Sequence, residues 1–104
     1  MSRLSMFWTR SSKPEPLTTQ LRATLVTTPD CHLCGHARMV LERVLAGRLL
    51  RVDELDWNNP QGRALVNRDG VPFAPAVYVE GKLCGYGRLS EGALRNWLRK
   101  QGLA

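Results

Sequence analysis

The chain changes character at Leu21. From Leu21 to Thr27 (LRATLVT) apolar and polar residues alternate among β-prone types, which predicts a half-buried strand. Pro29 and Asp30 break it. Between His32 and about Ala46 the apolar residues fall at Leu33, Ala37, Val40, Leu41, Val44 and Leu45, one face of an amphipathic helix that Gly47 stops. Leu49–Leu55 is a second strand candidate, its far end blurred by Asp53, Glu54 and Asp56. Asn59 then offers an N-cap and Pro60 a first helical residue, for a helix running to about Asp69, weakened by Gly62 and closed by Gly70.

Val71–Pro75 (VPFAP) is a proline-punctuated loop. Ala76–Val79 predicts a short strand, Glu80 and Gly81 a tight turn, and Lys82–Cys84 the start of the returning strand of a hairpin. The last helix is the best specified. Ser90 caps it, and Leu89 and Leu94 occupy the two positions of a hydrophobic staple. Its buried face is predicted as Ala93, Leu94, Trp97 and Leu98, with Arg95, Arg99 and Lys100 in water. The order strand–helix–strand–helix–strand–strand–helix predicts an α/β domain with a four-stranded mixed sheet flanked by helices. There is no internal repeat.

At 104 residues the chain fits one domain. Residues 21–104 are expected to form it, with residues 1–20 as a flexible extension containing Ser11, Ser12, Pro14 and Pro16. The extension's LSMFW patch is too short for a membrane span, no run approaches the ~18 apolar residues that a span requires, and no small-residue cleavage site follows. Arg3, Arg10 and the serines faintly resemble a transit peptide, but the flexible reading and a cytoplasmic location are preferred. The net charge of +6 is distributed, with three basic groups and one acid in residues 1–20 and twelve basic and eight acidic groups beyond. No basic block interleaved with aromatics is present, so the expectation is a monomer that binds neither nucleic acid nor membrane.

Three cysteines, Cys31, Cys34 and Cys84, are too few and too odd in number for a disulfide scaffold, and point to chemistry on the close pair in a reducing compartment. The pair lies where the first strand meets the first helix. Unpaired N–H groups and the positive end of the helix dipole there favour a thiolate at Cys31, the attacking nucleophile, while Cys34, one turn on, can close the disulfide. His32 would favour the thiolate and Asp30 disfavour it. A haem attachment site would need histidine where Gly35 stands. Zinc could draw on Cys31, Cys34, His32, His36 or Cys84, but no second paired ligand set exists. Plain burial is a further alternative, poorly suited to a polar turn. His36 reads as an exposed helix residue, Cys84 as a buried strand residue, and Trp57 and Trp97 as core.

With these residues in view, Leu21 to the C-terminus resembles a glutaredoxin-like protein of the thioredoxin superfamily. The resemblance rests on the C-H-L-C pair after a strand, on PAVYVEGK from Pro75 to Lys82, and on Gly70 five residues before Pro75. It implies a cis Ala74–Pro75 bond facing the cysteines, an Ala74 backbone that pairs with an extended substrate, and a proline that keeps metals off the thiols. The chain departs from the family's glutathione-binding pattern. Thr28 replaces the lysine three residues before the first cysteine, and Gly85-Tyr86-Gly87-Arg88 stands where the family has Gly-Gly-x-Asp, with Tyr86 in place of the second glycine and Arg88 in place of the acid.

The expected activity is thiol–disulfide oxidoreduction and electron transport, with Cys31 and Cys34 catalytic, His32 and Asp30 tuning, and Ala74, Pro75, Gly85 and Tyr86 binding substrate. No bound cofactor or metal is expected. Glutathione is a candidate electron donor, and the expected partners are a disulfide-containing protein or glutathione-type thiol and a reductase system. The alternative is a non-catalytic redox-sensing or protein-binding module.

Overall fold

The computed structural model describes residues 20–103, so the expected N-terminal extension lies outside the described residues apart from Gln20. Seven elements follow in the expected order: β1 (Leu21–Thr27), α1 (His32–Val44), β2 (Leu50–Asp56), α2 (Pro60–Asp69), β3 (Ala76–Val79), β4 (Lys82–Tyr86) and α3 (Glu91–Lys100). The strands form one mixed sheet in the order β2-β1-β3-β4, in which β1 runs parallel to β2 and antiparallel to β3, and β3 antiparallel to β4. Parallel pairing of β1 with β2 requires a crossover, and α1 supplies it.

Strand alternation assigns the two faces of the sheet to different helices. Leu21, Ala23 and Leu25 of β1 and Val77 and Val79 of β3 pack with Ala37, Val40 and Leu41 of α1 and Leu94 and Leu98 of α3. On the other face Val26, Ala76 and Tyr78 pack with Val66 of α2 and with Val71. All four residues of β3 are buried, as expected of a strand covered on both sides. The β3–β4 turn uses Glu80 and Gly81, both with positive φ (54° and 79°), the pair of left-handed residues that a two-residue hairpin favours. Val77 pairs with Gly85 but Tyr78 with Leu83, so Cys84 is the extra residue of a bulge.

The caps form as their sequence signals indicate. The Asn59 side chain accepts from the N–H groups of Gln61 and Gly62, and Ser90 from that of Ala93. Leu89 and Leu94 are both buried, and Gly70 closes α2 in the left-handed conformation (φ 65°). Ala93, placed on the buried face of α3 by its spacing, is exposed, because the helix rests on Leu94 and Leu98. Trp57 and Trp97, expected in the core, are half-buried at its margins. Gly62 is buried, and its lack of a side chain is a packing requirement: a Cβ there would lie 2.6 Å from the Asp56 carbonyl oxygen.

The Tyr78 hydroxyl is fully buried and has no hydrogen-bond partner in the described structure. Burial and the nearby Asp69 carboxylate push it up to about 12, while the Arg68 guanidinium lies 5.8 Å from the ring centroid. Among the described residues no helix is long and apolar enough to cross a membrane.

Candidate active site

The cysteine turn begins where β1 stops. Pro29 has no N–H for a ladder, Asp30 takes a positive φ of 59°, and Cys31, in extended conformation, is the N-cap of α1. Cys31 and Cys34 are joined by a disulfide with their Cα atoms 5.4 Å apart, and the Cys34 N–H donates to the Cys31 carbonyl at 3.3 Å. No acidic residue lies in the first turn of α1, so no carboxylate inside the helix offsets its positive end at Cys31.

Two cavities flank the pair. One of about 600 Å³ is lined by Asp30, Cys31, His32, Cys34, Arg38 and Glu54 among others; Arg38 and Glu54 form an ion pair there. The other, of about 520 Å³, is lined by Thr28, Cys31, His32 and Leu33 of the cysteine turn and by Trp57, Pro72, Phe73 and Ala74. Cys31 lines both cavities, whereas Cys34 lines only the first. Leu33, assigned to the apolar face of α1 by its spacing, is half-buried and walls the second cavity.

The Ala74–Pro75 bond is cis. Pro75 is buried, and its carbonyl accepts from the Gly87 N–H at 2.8 Å, fastening the proline loop to the exit of β4. Among the described residues the backbone of Ala74 makes no hydrogen bond. Gly85 lies away from both cavities, half-buried, with Leu89 the nearest side chain that a Cβ there would meet. Tyr86 does not line the cavities either; it stands next to them, its ring edge-on to that of Phe73 with centroids 5.4 Å apart. Asp30, His32, the cysteines and Ala74 are therefore brought together, and Tyr86 joins them only through Phe73. Trp57, Phe73, Arg38 and Glu54 are site residues that the sequence did not single out. Phe73 alone carried a usable signal, as a large apolar residue in a loop otherwise made of prolines and small residues.

His36, expected in solvent, is half-buried. Its Nε2 lies 3.0 Å from the Leu89 carbonyl, and since a carbonyl only accepts, Nε2 carries the proton. This bond ties the first turns of α1 to the segment that enters α3, and Arg43 reaches Glu91 of α3 at 3.1 Å. Among the described residues no group of three or more His, Cys, Asp or Glu is placed to hold a metal ion. Cys84, expected to be buried, is half-buried against the core, and burial pushes its thiol up to about 12. Alkylation proceeds through the thiolate. After reduction of the native protein, iodoacetamide at about pH 8 is therefore expected to modify Cys31 and leave Cys84 unlabelled until the chain is unfolded. Mass mapping showing equal labelling of Cys84 in the native protein would refute this.

No protein-family model and no curated protein sequence matches the chain. Solved structures do. Glutaredoxin 1 from Francisella tularensis complexed with cacodylate superposes with a TM-score of 0.51 at 15% identity, over 81% of this chain and 99% of that one. A thioredoxin point mutant from Halobacterium salinarum NRC-1 gives 0.53 at 20%, over 77% and 73%. A malarial protein gives 0.54 at 11%, over 79% and 97%.

Proposed function

We infer that this chain, which has the fold of the thioredoxin superfamily shared with glutaredoxin and thioredoxin structures, is a thiol–disulfide oxidoreductase. The observation that carries this reading is the bonded Cys31–Cys34 pair at the N-terminus of α1, with Cys31 open to cavities on both sides. The helix end stabilises the Cys31 thiolate, and His32 and Asp30 beside it adjust that balance in opposite directions.

In the reductive direction the Cys31 thiolate attacks one sulfur of the substrate disulfide. That S–S bond breaks, a mixed disulfide with Cys31 forms, and the first substrate thiolate leaves and takes up a proton. The Cys34 thiolate then attacks the Cys31 sulfur, closing the intramolecular disulfide and expelling the second substrate thiolate. The substrate gains two electrons and the protein loses two. An external thiol or dithiol reductant must return them. The Ala74 backbone, next to Pro75 and lining the same cavity as Cys31, is suited to hold an extended substrate segment by strand-like pairing.

The test is a turnover assay with the pure protein, using a glutathione mixed disulfide and a protein disulfide as parallel substrates. Glutathione with its reductase, or thioredoxin reductase with its thioredoxin, supplies the electrons. Turnover of either substrate above the rate without the protein supports the assignment, and none with either substrate or donor would overturn it.

A further inference from the structure

We propose that Phe73 and Tyr86 form a specificity ledge that selects extended polypeptide disulfides carrying a large apolar or aromatic residue beside the reactive cysteine. The proposal rests on the oxidoreductase reading and narrows its substrate class.

The large hydrophobics exposed in the described structure are Met39, Leu49, Phe73 and Tyr86. Exposed apolar side chains that stand singly need no explanation. Phe73 and Tyr86 do not stand singly. They are 55% and 45% exposed and pack edge-to-face, and Phe73 lines the cavity that Cys31 lines, with Tyr86 behind it. The ledge is also held in place. A Cβ at Gly87 would lie 2.9 Å from Cε1 of Phe73, so the ring rests on bare backbone, and Gly87 takes the positive φ (72°) that favours glycine. The Gly87 N–H is bound to the Pro75 carbonyl, so the loop bearing Phe73 and the strand end bearing Tyr86 are fastened at one point. Rings fixed before the substrate arrives lose little further freedom on binding.

Charge decides which occupant fits. No lysine, arginine or carboxylate lines the cavity between Cys31 and Phe73. A glutathione adduct would bring two carboxylates and an ammonium group into it. A polypeptide spreads its charges away from the cysteine, and its flanking apolar side chain can lie on the ledge while its backbone runs past Ala74. The occupant is therefore a protein segment, and the small anionic tripeptide is disfavoured.

Two peptide disulfides of equal length, one with Phe and one with Asp next to the cysteine, separate the possibilities. The pre-reduced, desalted protein is mixed with each, quenched in acid and read by mass spectrometry, so that no electron donor is needed. The second-order rate constant is expected to be roughly tenfold larger for the Phe peptide. In Phe73→Ser/Tyr86→Ser that ratio should fall to near one, while Phe73→Tyr should keep it. Circular dichroism of the variants verifies that they are folded, and Tyr86→Ser alone, which leaves the Phe73–Gly87 packing untouched, should lower the ratio in the same direction. A ratio near one in the unmodified protein, or an unchanged ratio in the folded double variant, would overturn the ledge and leave the thiol chemistry standing. Reduction of neither peptide would remove both.

Discussion

Cys31→Ser is expected to lower disulfide turnover by on the order of a thousandfold or more, to the rate without protein. An alcohol is not ionised near neutral pH, so the helix N-terminus that stabilises a thiolate has nothing to act on. Cys34→Ser should behave differently. The first exchange step survives, since Cys31 still faces both cavities, but nothing remains to resolve the product. The variant should accumulate a mixed disulfide whose mass equals protein plus one substrate half, stable until an outside thiol is added. If the substrate is a low-molecular-weight adduct that an external thiol can release, Cys34→Ser is expected to turn over and Cys31→Ser is not. Trapping in Cys31→Ser and inactivity in Cys34→Ser would exchange the two roles. Full activity in both would dismiss the pair altogether.

What could be read from the sequence follows from how local each signal is. Asn59-Pro60 and Leu89-Ser90 with Leu94 specify helix starts within six residues, and both helices start there. The cysteine turn was legible for the same reason, because Asp30, Cys31, His32 and Cys34 are chain neighbours on one turn. The cis Ala74–Pro75 bond is implied by the family resemblance and by no periodicity or composition. His36 reads as exposed because its partner, the Leu89 carbonyl, is 53 residues away in the chain. Trp57 and Leu33 were assigned to the core by type and spacing, yet both serve as cavity walls, which depends on where the α1 turn stops against the proline loop. The Phe73–Tyr86 pair is likewise a property of the β4 exit meeting that loop, thirteen residues apart in the chain, and no local pattern encodes it.

Gly62→Ala carries the second large effect, and its sign is the informative part. In an exposed helix interior, alanine in place of glycine stabilises by about 1 kcal/mol. At Gly62 the new Cβ would lie 2.6 Å from the Asp56 carbonyl oxygen, 3.3 Å from Cγ1 of Val26 and 3.4 Å from Cβ of Leu55. The closest of these is backbone, and it cannot simply turn aside because that carbonyl accepts the Asn59 N–H at 2.9 Å. The helix must therefore move off the sheet, loosening Val66 and Tyr78 where they pack with Val26. Overpacking of this kind costs about 1–3 kcal/mol, so after the helix gain the net expectation is a loss of up to about 2 kcal/mol, read as a lower denaturant midpoint at unchanged slope. Gly92 of α3 is the control, since a Cβ there would meet nothing within 4 Å and Gly92→Ala should raise the midpoint. If Gly62→Ala raised it too, the close approach of α2 to β2 would be wrong. The consequence reaches the site, because Asp56 leads directly into Trp57, whose N–H donates to the Thr27 carbonyl at 2.7 Å and whose side chain walls the Cys31 cavity. A displaced Asp56 carbonyl shifts that wall, so Gly62→Ala should slow substrate reduction even under conditions where the variant is fully folded.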